Sequence, residues 1–469
     1  MWIIIKNELY SLYRNNALLA ISIGFILALL LSILLGMVQA QNHTKSYEQA
    51  KNKLRKQWEN IEGMNAHGAA HYGTYVFKPY DLLNSLDEGV NSVTGNVLKL
   101  EGHVQNEIVY SEASQMQFIS KFGKLKSSLL LQYVLPLILI FLAFHSISSE
   151  KQSGRLKLLL LQEAKSLTII WAKTLSVWLY GLALLTFTVS IYSLINLENI
   201  SLDIGSRLLF FYLSYALFYF IISGLTVFFS AQYKNATVAL TSMLGIWIVW
   251  TIFLPNIVMS SVEKWHDLPS RNEFQADMKE DRSKGLDGHN PLDERAKDLE
   301  AKTLEKYGVN DIADLPINFD GIRMQADEEY GNQVWDKHFG NLNNILAKQK
   351  QSYQLAGIFN PFISLKNASM GFAASDNYHH QNFLKQAENY RRRLIKALND
   401  EHAYGGSKTG DWSWEPESDF YKSIPDYTYK PMSFSYSAPN YLIDISLLFI
   451  WSVLTSLFMF FGARKMEII

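Results

Sequence analysis

The run LLFFYLSYALFYFIISGLTVFFSAQY at residues 208–233 decides the fold class, because its 26 residues include no charged side chain. An α-helix rises 1.5 Å per residue and the hydrocarbon core of a bilayer is about 30 Å thick, so about 20 apolar residues can span it. Five more uncharged runs lie at 15–44, 127–149, 174–197, 235–262 and 445–463. These runs exclude an ordinary soluble enzyme.

The apolar cores of the six runs lie at 17–39, 129–148, 172–195, 208–231, 237–259 and 441–463. Each core is long enough to cross a membrane as a helix. We therefore predict an all-α polytopic membrane protein with six transmembrane helices.

Residues 1–16 are predicted to form a separate element before the first span. Trp2, Ile5, Leu9 and Leu12 recur at helical spacing, with polar residues between them. A helix with such a stripe and few charges is typical of one that lies in the headgroup plane of a membrane. The alternative is the basic segment that precedes an ordinary signal anchor.

The distribution of charge predicts the orientation of the spans. With the N-terminus in the cytoplasm, the cytoplasmic segments contain ten Lys or Arg and four Asp or Glu, whereas the opposite side contains 33 and 40. Because Lys and Arg are in excess in cytoplasmic loops, both termini are expected inside, with 464–469 as a cytoplasmic tail. Two large inserts, 40–128 and 260–438, then lie outside.

The two inserts are expected to build a largely helical extracytoplasmic domain. Helical signals occur over 45–62, over 321–356, and from Asn290-Pro291 to Gly308, where a proline and acidic residues open the helix. A further helix has Phe383, Ala387, Tyr390, Leu394 and Ala397 on one stripe. Residues 404–440 are expected to be irregular and held by aromatic packing.

Composition and motifs argue against several functions. The net charge of −1 excludes a basic nucleic-acid-binding protein, and the absence of cysteine excludes thiolate metal sites and a cysteine nucleophile. The sequence lacks H-E-x-x-H, G-x-S-x-G and G-x-x-x-x-G-K-[ST]. We therefore expect no enzymatic activity, no ATPase and no cofactor in this chain.

Two pairs of histidines are candidate metal ligands. His67 and His71 are four residues apart, and His379 and His380 are adjacent at the start of an amphipathic stretch. Either pair could contribute to a zinc or copper site. The competing interpretation is structural, because no carboxylate lies near His67 and His71 in the sequence, and the sequence favours it.

Two other polar features have two interpretations each. Asp444 is the ionisable residue that we single out inside the spans, near the outer end of the sixth helix, where burial of a charge is costly. It either contacts a partner helix or the substrate path, or is solvated at the interface. Arg391-Arg392-Arg393 either binds an anionic ligand or headgroup, or forms a solvated helix face, which the sequence favours.

The segment SEKQSGRLKLLLLQEAKSLTIIWAK at 149–173 joins the second and third spans, and residues 149–171 form the predicted cytoplasmic loop. Gly154 permits a tight reversal of the chain after Glu150 has ended the span. The apolar residues after the reversal predict a short helix, and Lys165 and Lys173 are expected to anchor the chain at the headgroups. These apolar residues are Leu156, Leu158, Leu159, Leu160 and Leu161.

This segment resembles the E-x-x-x-G-x-L coupling pattern of ABC-2-type transporter permeases, in which leucines and a small-residue turn follow the glycine. The two large inserts are similar to those of a subgroup labelled as copper-enzyme-maturation or gliding-type permeases. The residues that carry this second similarity are Ala66–Gly73, Leu86–Val90 and Phe359–Phe362. The resemblance covers the whole chain by topology but is motif-specific over about 40 residues.

The resemblance implies a permease subunit in a bacterial inner membrane with its large domain in the periplasm. It implies a separate ATPase subunit that binds ATP and docks on the 149–171 loop, and a second permease chain, identical or paralogous. Export or mechanical work on a periplasmic partner, such as a lipoprotein, would follow. The alternatives are a membrane-anchored scaffold or sensor with a partner-binding ectodomain, and a membrane enzyme, for which no constellation of residues is evident.

Overall fold

The structure is a computed structural model that describes residues 1–110, 125–286, 290–417 and 419–466. Parts of the two predicted inserts (111–124, 287–289 and 418) and the end of the predicted tail (467–469) lie outside the described residues. Within the described ranges the chain is mostly helical, with one small sheet.

The chain begins with two helices that are separated by a single residue. Helix α1 (Trp2–Arg14) ends at Asn15, whose side-chain oxygen accepts hydrogen bonds from the first backbone N–H groups of α2 (Asn16–Glu59). The 44 residues of α2 correspond to about 66 Å, far more than a bilayer needs. The predicted helical stretch 45–62 is therefore largely the continuation of the first span, not a separate helix.

Five further apolar helices follow. In chain order they are α5 (127–143), α8 (Ser166–Ile195), α9 (Leu202–Gln232), α10 (Ala236–Trp265) and α18 (Leu442–Met466). Together with α2 they make six helices that are long and apolar enough to cross a membrane. The prediction of a multi-pass, largely α-helical membrane protein is confirmed at this level.

Two of these helices contain a π-helical turn just before a proline. The turn Leu130–Val134 precedes Pro136 in α5, and the turn Val249–Phe253 precedes Pro255 in α10. Proline has no N–H group and clashes with the preceding turn, so a wider turn at this point relieves the conflict. These two spans are therefore continuous, and each has one wider turn near the end that adjoins an insert.

Helix α9 lies at the centre of the bundle. In its most apolar 18-residue stretch 67% of the residues are buried, whereas the corresponding share for α10 is 22%. It contacts α5, α8, α18 and α14 (Pro361–Phe372). Helix α14 belongs to the predicted outer insert, yet Phe362, Leu365 and Phe372 are buried in the same apolar core as the spans. The second insert is thus anchored in the bundle.

We call the remaining folded part the head. Its helices are α3 (Ala66–Tyr72), α4 (Asn91–Thr94), α11 (Arg271–Lys284), α12 (Leu292–Tyr307), α13 (Phe319–Leu355), α15 (Asn377–Tyr404), α16 (Phe420–Ser423) and α17 (Phe434–Ser437). Helix α12 starts after Pro291 and ends at Gly308, which adopts a left-handed conformation, so the predicted stop is correct while the N-cap is Pro291, not Asn290.

A three-stranded antiparallel sheet in the first insert departs from the all-α expectation. Its strands are β1 (Thr74–Phe77), β2 (Val97–Leu100) and β3 (Gln105–Tyr110), in that order across the sheet. Strands of four to six residues are too short to give a clear alternating pattern in the sequence. The sheet packs on α15, whose Phe383, Ala387, Tyr390 and Leu394 are buried as their spacing predicted.

Candidate functional site

The 149–171 loop folds into two short helices at the end of the bundle that we call the loop end. Helices α6 (Ser148–Gln152) and α7 (Arg155–Leu161) are separated by Gly154, whose φ of 76° is the left-handed conformation that glycine adopts without strain. A second left-handed residue, Glu163, ends the loop before α8 begins at Ser166. The predicted reversal therefore occurs at Gly154.

Helix α6 is fixed to the last turn of α9. Ser230 Oγ accepts the backbone N–H groups of Ile147 and Ser148 at 3.0 and 3.1 Å, and Lys151 Nζ donates to the carbonyl oxygen of Ala231. These bonds satisfy N–H groups at the start of α6 and a carbonyl oxygen at the end of α9, where helices leave backbone groups without partners. The loop is therefore attached to the central helix of the bundle.

An ion-pair network connects the loop to α1 and α8. Lys173 Nζ lies 2.7 Å from Glu8 Oε1 and 2.8 Å from Glu150 Oε1, and its side chain is only 3% exposed. Lys173 was expected to anchor the chain at headgroups, and this expectation is wrong, because two carboxylates neutralise a buried ammonium group. Lys165 is exposed, at the N-cap of α8.

The leucines of α7 divide into two sets. Leu156 is 2% exposed and belongs to the bundle core, against which Leu159 and Leu160 pack with partial burial. Leu158 and Leu161, three residues apart on one face, are 62% and 75% exposed. The outward apolar face therefore consists of Leu158 and Leu161 and not of the whole leucine run.

The loop end and the head lie at opposite ends of α9. At the start of α9, the Arg207 guanidinium contacts the Asp81 carboxylate at 2.9 Å and the carbonyl oxygen of Met432 at 3.2 Å, and both partners belong to the head. At its other end, Ser230 and Ala231 hold the loop. The 31 residues of α9 separate the two by about 45 Å.

Asp444 is buried rather than solvated. Its carboxylate accepts hydrogen bonds from the side-chain amides of Gln354 at 2.7 Å and Asn367 at 3.3 Å. Gln354 lies on α13 and Asn367 on α14, so the residue joins the start of α18 to two helices of the second insert. Interface solvation is therefore wrong for this side chain in the structure.

A second buried carboxylate, Asp87, lies in the first insert, and the sequence did not indicate it. Asp87 accepts hydrogen bonds from Ser369 Oγ and, at 3.3 Å, from Gln132 Nε2, and Tyr215 Oη lies 3.0 Å from the same amide nitrogen. Burial raises the pKa of Asp87, and the Ser369 hydrogen bond opposes that rise. Gln132 in a span and Asp87 within Leu86–Val90 were the available signals, but no sequence pattern connects them. His145, inside the predicted second span, was also missed and lies in the turn before α6.

His379 and His380 are not part of a cluster of three or more potential metal ligands within the described residues. His379 Nδ1 lies 2.7 Å from Asp376 Oδ1, and Asp376 also accepts from Lys350 Nζ at 3.1 Å and Tyr441 Oη at 2.8 Å. Burial raises the pKa of Asp376, but the His379 hydrogen bond and the Lys350 charge outweigh it and hold that pKa well below its usual range. Burial and the charge of Lys78 lower the pKa of His380 to about 3.

His67 and His71 are joined by a third histidine that the sequence did not indicate. His103 lies in the β2–β3 turn with φ 64°, and one potential ligand nitrogen from each of the three side chains lies within 4.8 Å of the other two. It is the one cluster of three or more potential metal ligands within the ranges that the structure describes. Because 32 residues separate His71 from His103, no spacing pattern in the sequence indicates this cluster.

Arg391 contacts Glu328, the carboxylate next to His103, and is only 1% exposed. The prediction of a solvated helix face is therefore wrong for this residue. Its guanidinium contacts Glu328 at 3.0 Å, Glu388 at 2.9 Å and Asn332 at 2.6 Å. The charge is compensated by Glu388 on the same helix and by Glu328 on α13, and the sequence spacing does not reveal the second partner. Arg393, two residues further on, is exposed as expected.

Residues 271–430 match a family described as a domain of unknown function, DUF3526. The match covers the head from α11 to the irregular segment after α15. No curated protein matches the chain.

Proposed function

We propose that this protein is the permease subunit of an ABC-2-type transporter, on which a separate ATPase subunit docks at the loop end. The observation that carries the proposal is the pair Leu158 and Leu161, which are exposed on a helix whose other leucines are buried or partly buried. Exposed leucines on a short helix outside the apolar bundle suit the groove of a partner protein, since a connector needs no outward apolar residues.

The Lys173 network supports a coupling role for the same loop. Its three charged groups come from α1, the loop and α8, and they meet at a buried position. A partner that displaced the loop would therefore act on α1 and on the third span through one set of ion pairs. Asp444 and its amide partners connect the sixth span to the head in a comparable way at the other end.

The orientation follows from the charge distribution. The excess of Lys and Arg on the loop side favours a cytoplasmic loop end, cytoplasmic termini and a head outside. The proposed permease role implies a bacterial inner membrane with the head in the periplasm. ATP binds to the partner subunit, and this chain needs no cofactor of its own. Four of the six spans have less than 40% of their most apolar stretch buried, which leaves room for lipid and for a second permease chain. Export and transmission of force to a lipid or lipoprotein partner are both compatible with the size of the head.

The test is co-purification of the protein, extracted from its own cells under gentle conditions. The double variant Leu158→Glu/Leu161→Glu places two charges on the proposed docking face without disturbing a buried residue. Loss of two anchors from the centre of an interface costs at least about 3 kcal/mol, or roughly 100-fold in affinity. A protein with a Walker A motif is expected with the wild type and not with the variant.

Leu197→Glu/Leu202→Glu is the matched control, since both leucines are highly exposed at the opposite end of the spans. This variant is expected to retain the ATPase. If neither the wild type nor the control retains an ATPase, the anchored scaffold or sensor becomes the better account of the molecule.

A further inference from the structure

The His67–His71–His103 cluster in the head is independent of the loop end and of the proposed transport function. His67 and His71 occupy one face of α3, because residues four apart on a helix are neighbours. Their Nε2 atoms lie 3.1 Å apart. Two nitrogens bound to one tetrahedral zinc ion are separated by about 3.4 Å, so the pair needs little movement to share an ion.

The backbone brings His103 to this pair. The N–H of Gly102 donates to the carbonyl oxygen of Ala70 at 2.9 Å, which joins the β2–β3 turn to α3. Gly73 ends α3 with φ 65° so close to β2 that a Cβ there would meet the carbonyl oxygen of Leu100 at 2.3 Å. The helix and the turn are thus held in contact, and the ring centroids of His71 and His103 are 5.2 Å apart.

Glu328 holds His103 in its unusual conformation. Its carboxylate lies 3.0 Å from His103 Nδ1 and accepts the backbone N–H of the same residue. Arg391 in turn fixes Glu328 from the buried side. A carboxylate on one ring nitrogen, with the other nitrogen left for a metal ion, is the usual arrangement around metal-binding histidines.

The exposure of the cluster suits the binding of an ion from solvent. The three histidines are partly or fully exposed, so they do not serve to fill a core.

We propose that His67, His71 and His103 bind one divalent transition-metal ion, with zinc as the ion that best suits three imidazoles and an open fourth position. Magnesium and calcium do not suit the site because they prefer oxygen ligands. Three protein nitrogens and one solvent-accessible position are the ligand set of open zinc sites. The ion would connect the helix and the turn at the surface of the head.

Calorimetric titration of the full-length, chelator-stripped protein in detergent with zinc sulfate tests the proposal. One zinc per chain is expected. His71→Ala removes an exposed ligand and should weaken binding more than about 100-fold, since loss of an outer hydrogen-bond partner alone costs about 10–100-fold. His266→Ala, which removes an imidazole bonded to Ser352, is the matched control and should bind within twofold of the wild type.

Trp412 provides a second measurement, because its ring centroid lies 5.4 Å from that of His67. Zinc should change the tryptophan fluorescence of the wild type, and the change should shrink in Trp412→Phe while the calorimetric affinity is retained. Less than half a zinc per chain, equal binding by wild type and His71→Ala, or an undiminished fluorescence change in Trp412→Phe would each overturn the proposal.

Discussion

The loop end and the head differ in the polarity of the side chains that they expose and bury. At the loop end, Leu158 and Leu161 are exposed although they are apolar. In the head, Arg391 is fully buried although it is charged, because Glu328 and Glu388 surround it. The head thus provides partners for its own buried charge, whereas no part of the chain that the structure describes covers the exposed leucines of the loop.

The difference separates a core whose polar groups are paired within the chain from a surface that is suited to a partner. A buried, compensated arginine belongs to a finished core, since leaving such a charge unpaired would be costly. Exposed leucines such as Leu158 and Leu161 are what the proposed docking of a partner subunit requires.

The largest effect is expected from Arg391→Met. Removing the guanidinium leaves the buried Glu328 carboxylate without its arginine and Glu388 with Arg392 alone, which typically costs about 3–5 kcal/mol. Arg393→Met on the exposed face is the matched control, with an expected change within about 0.5 kcal/mol. Pulse proteolysis of the head in increasing urea measures both, and equal midpoints would show that the buried network contributes nothing.

A smaller effect is expected from Leu156→Ala at the loop end. The side chain is buried in the bundle core, and truncation of a buried leucine costs about 2–5 kcal/mol, here toward the lower value because the cavity lies near the surface. Leu158→Ala should leave stability within about 0.5 kcal/mol. Thermal unfolding in detergent compares the two. A larger loss from Leu158→Ala would contradict the division of α7 into buried and outward faces.

The smallest effect is expected from Glu8→Gln, which removes one of the two carboxylates that contact Lys173. The Glu8 side chain is 31% exposed, so its ion pair should contribute about 0.5–1 kcal/mol to the docking of α1. Backbone amides of α1 should then exchange hydrogen about two- to fivefold faster. Glu62→Gln, on an exposed side chain in the head, is the control. Unchanged hydrogen exchange of the α1 backbone amides would show that the ion pair between Glu8 and Lys173 does not stabilise the docking of α1.

The parts of the fold that the sequence predicts are those that depend on local pattern. Uncharged runs predict the spans, and the spacing of Phe383, Ala387, Tyr390 and Leu394 predicts the buried face of α15. Gly154 predicts the chain reversal for the same reason, because its conformational freedom is a property of one residue.

The parts that the sequence does not predict depend on partners far along the chain. Arg391 bonds to the carbonyl oxygen of Glu101, 290 residues away, and to Glu328 on another helix. His103 reaches His67 and His71 through the β2–β3 turn of a sheet whose short strands give little signal. Burial of a charge and assembly of a three-histidine cluster are tertiary properties, and one sequence does not determine which distant residues meet.

The most direct test of the central claim is photo-crosslinking in intact cells, with a photoreactive amino acid at position 161. The account predicts a covalent adduct between this position and a protein that carries a Walker A motif, a similar adduct from position 158, and none from the buried position 156 or from position 202 at the other end of the spans. No such adduct from either 158 or 161, or an equal adduct from 202, would contradict an ATPase docked on the loop.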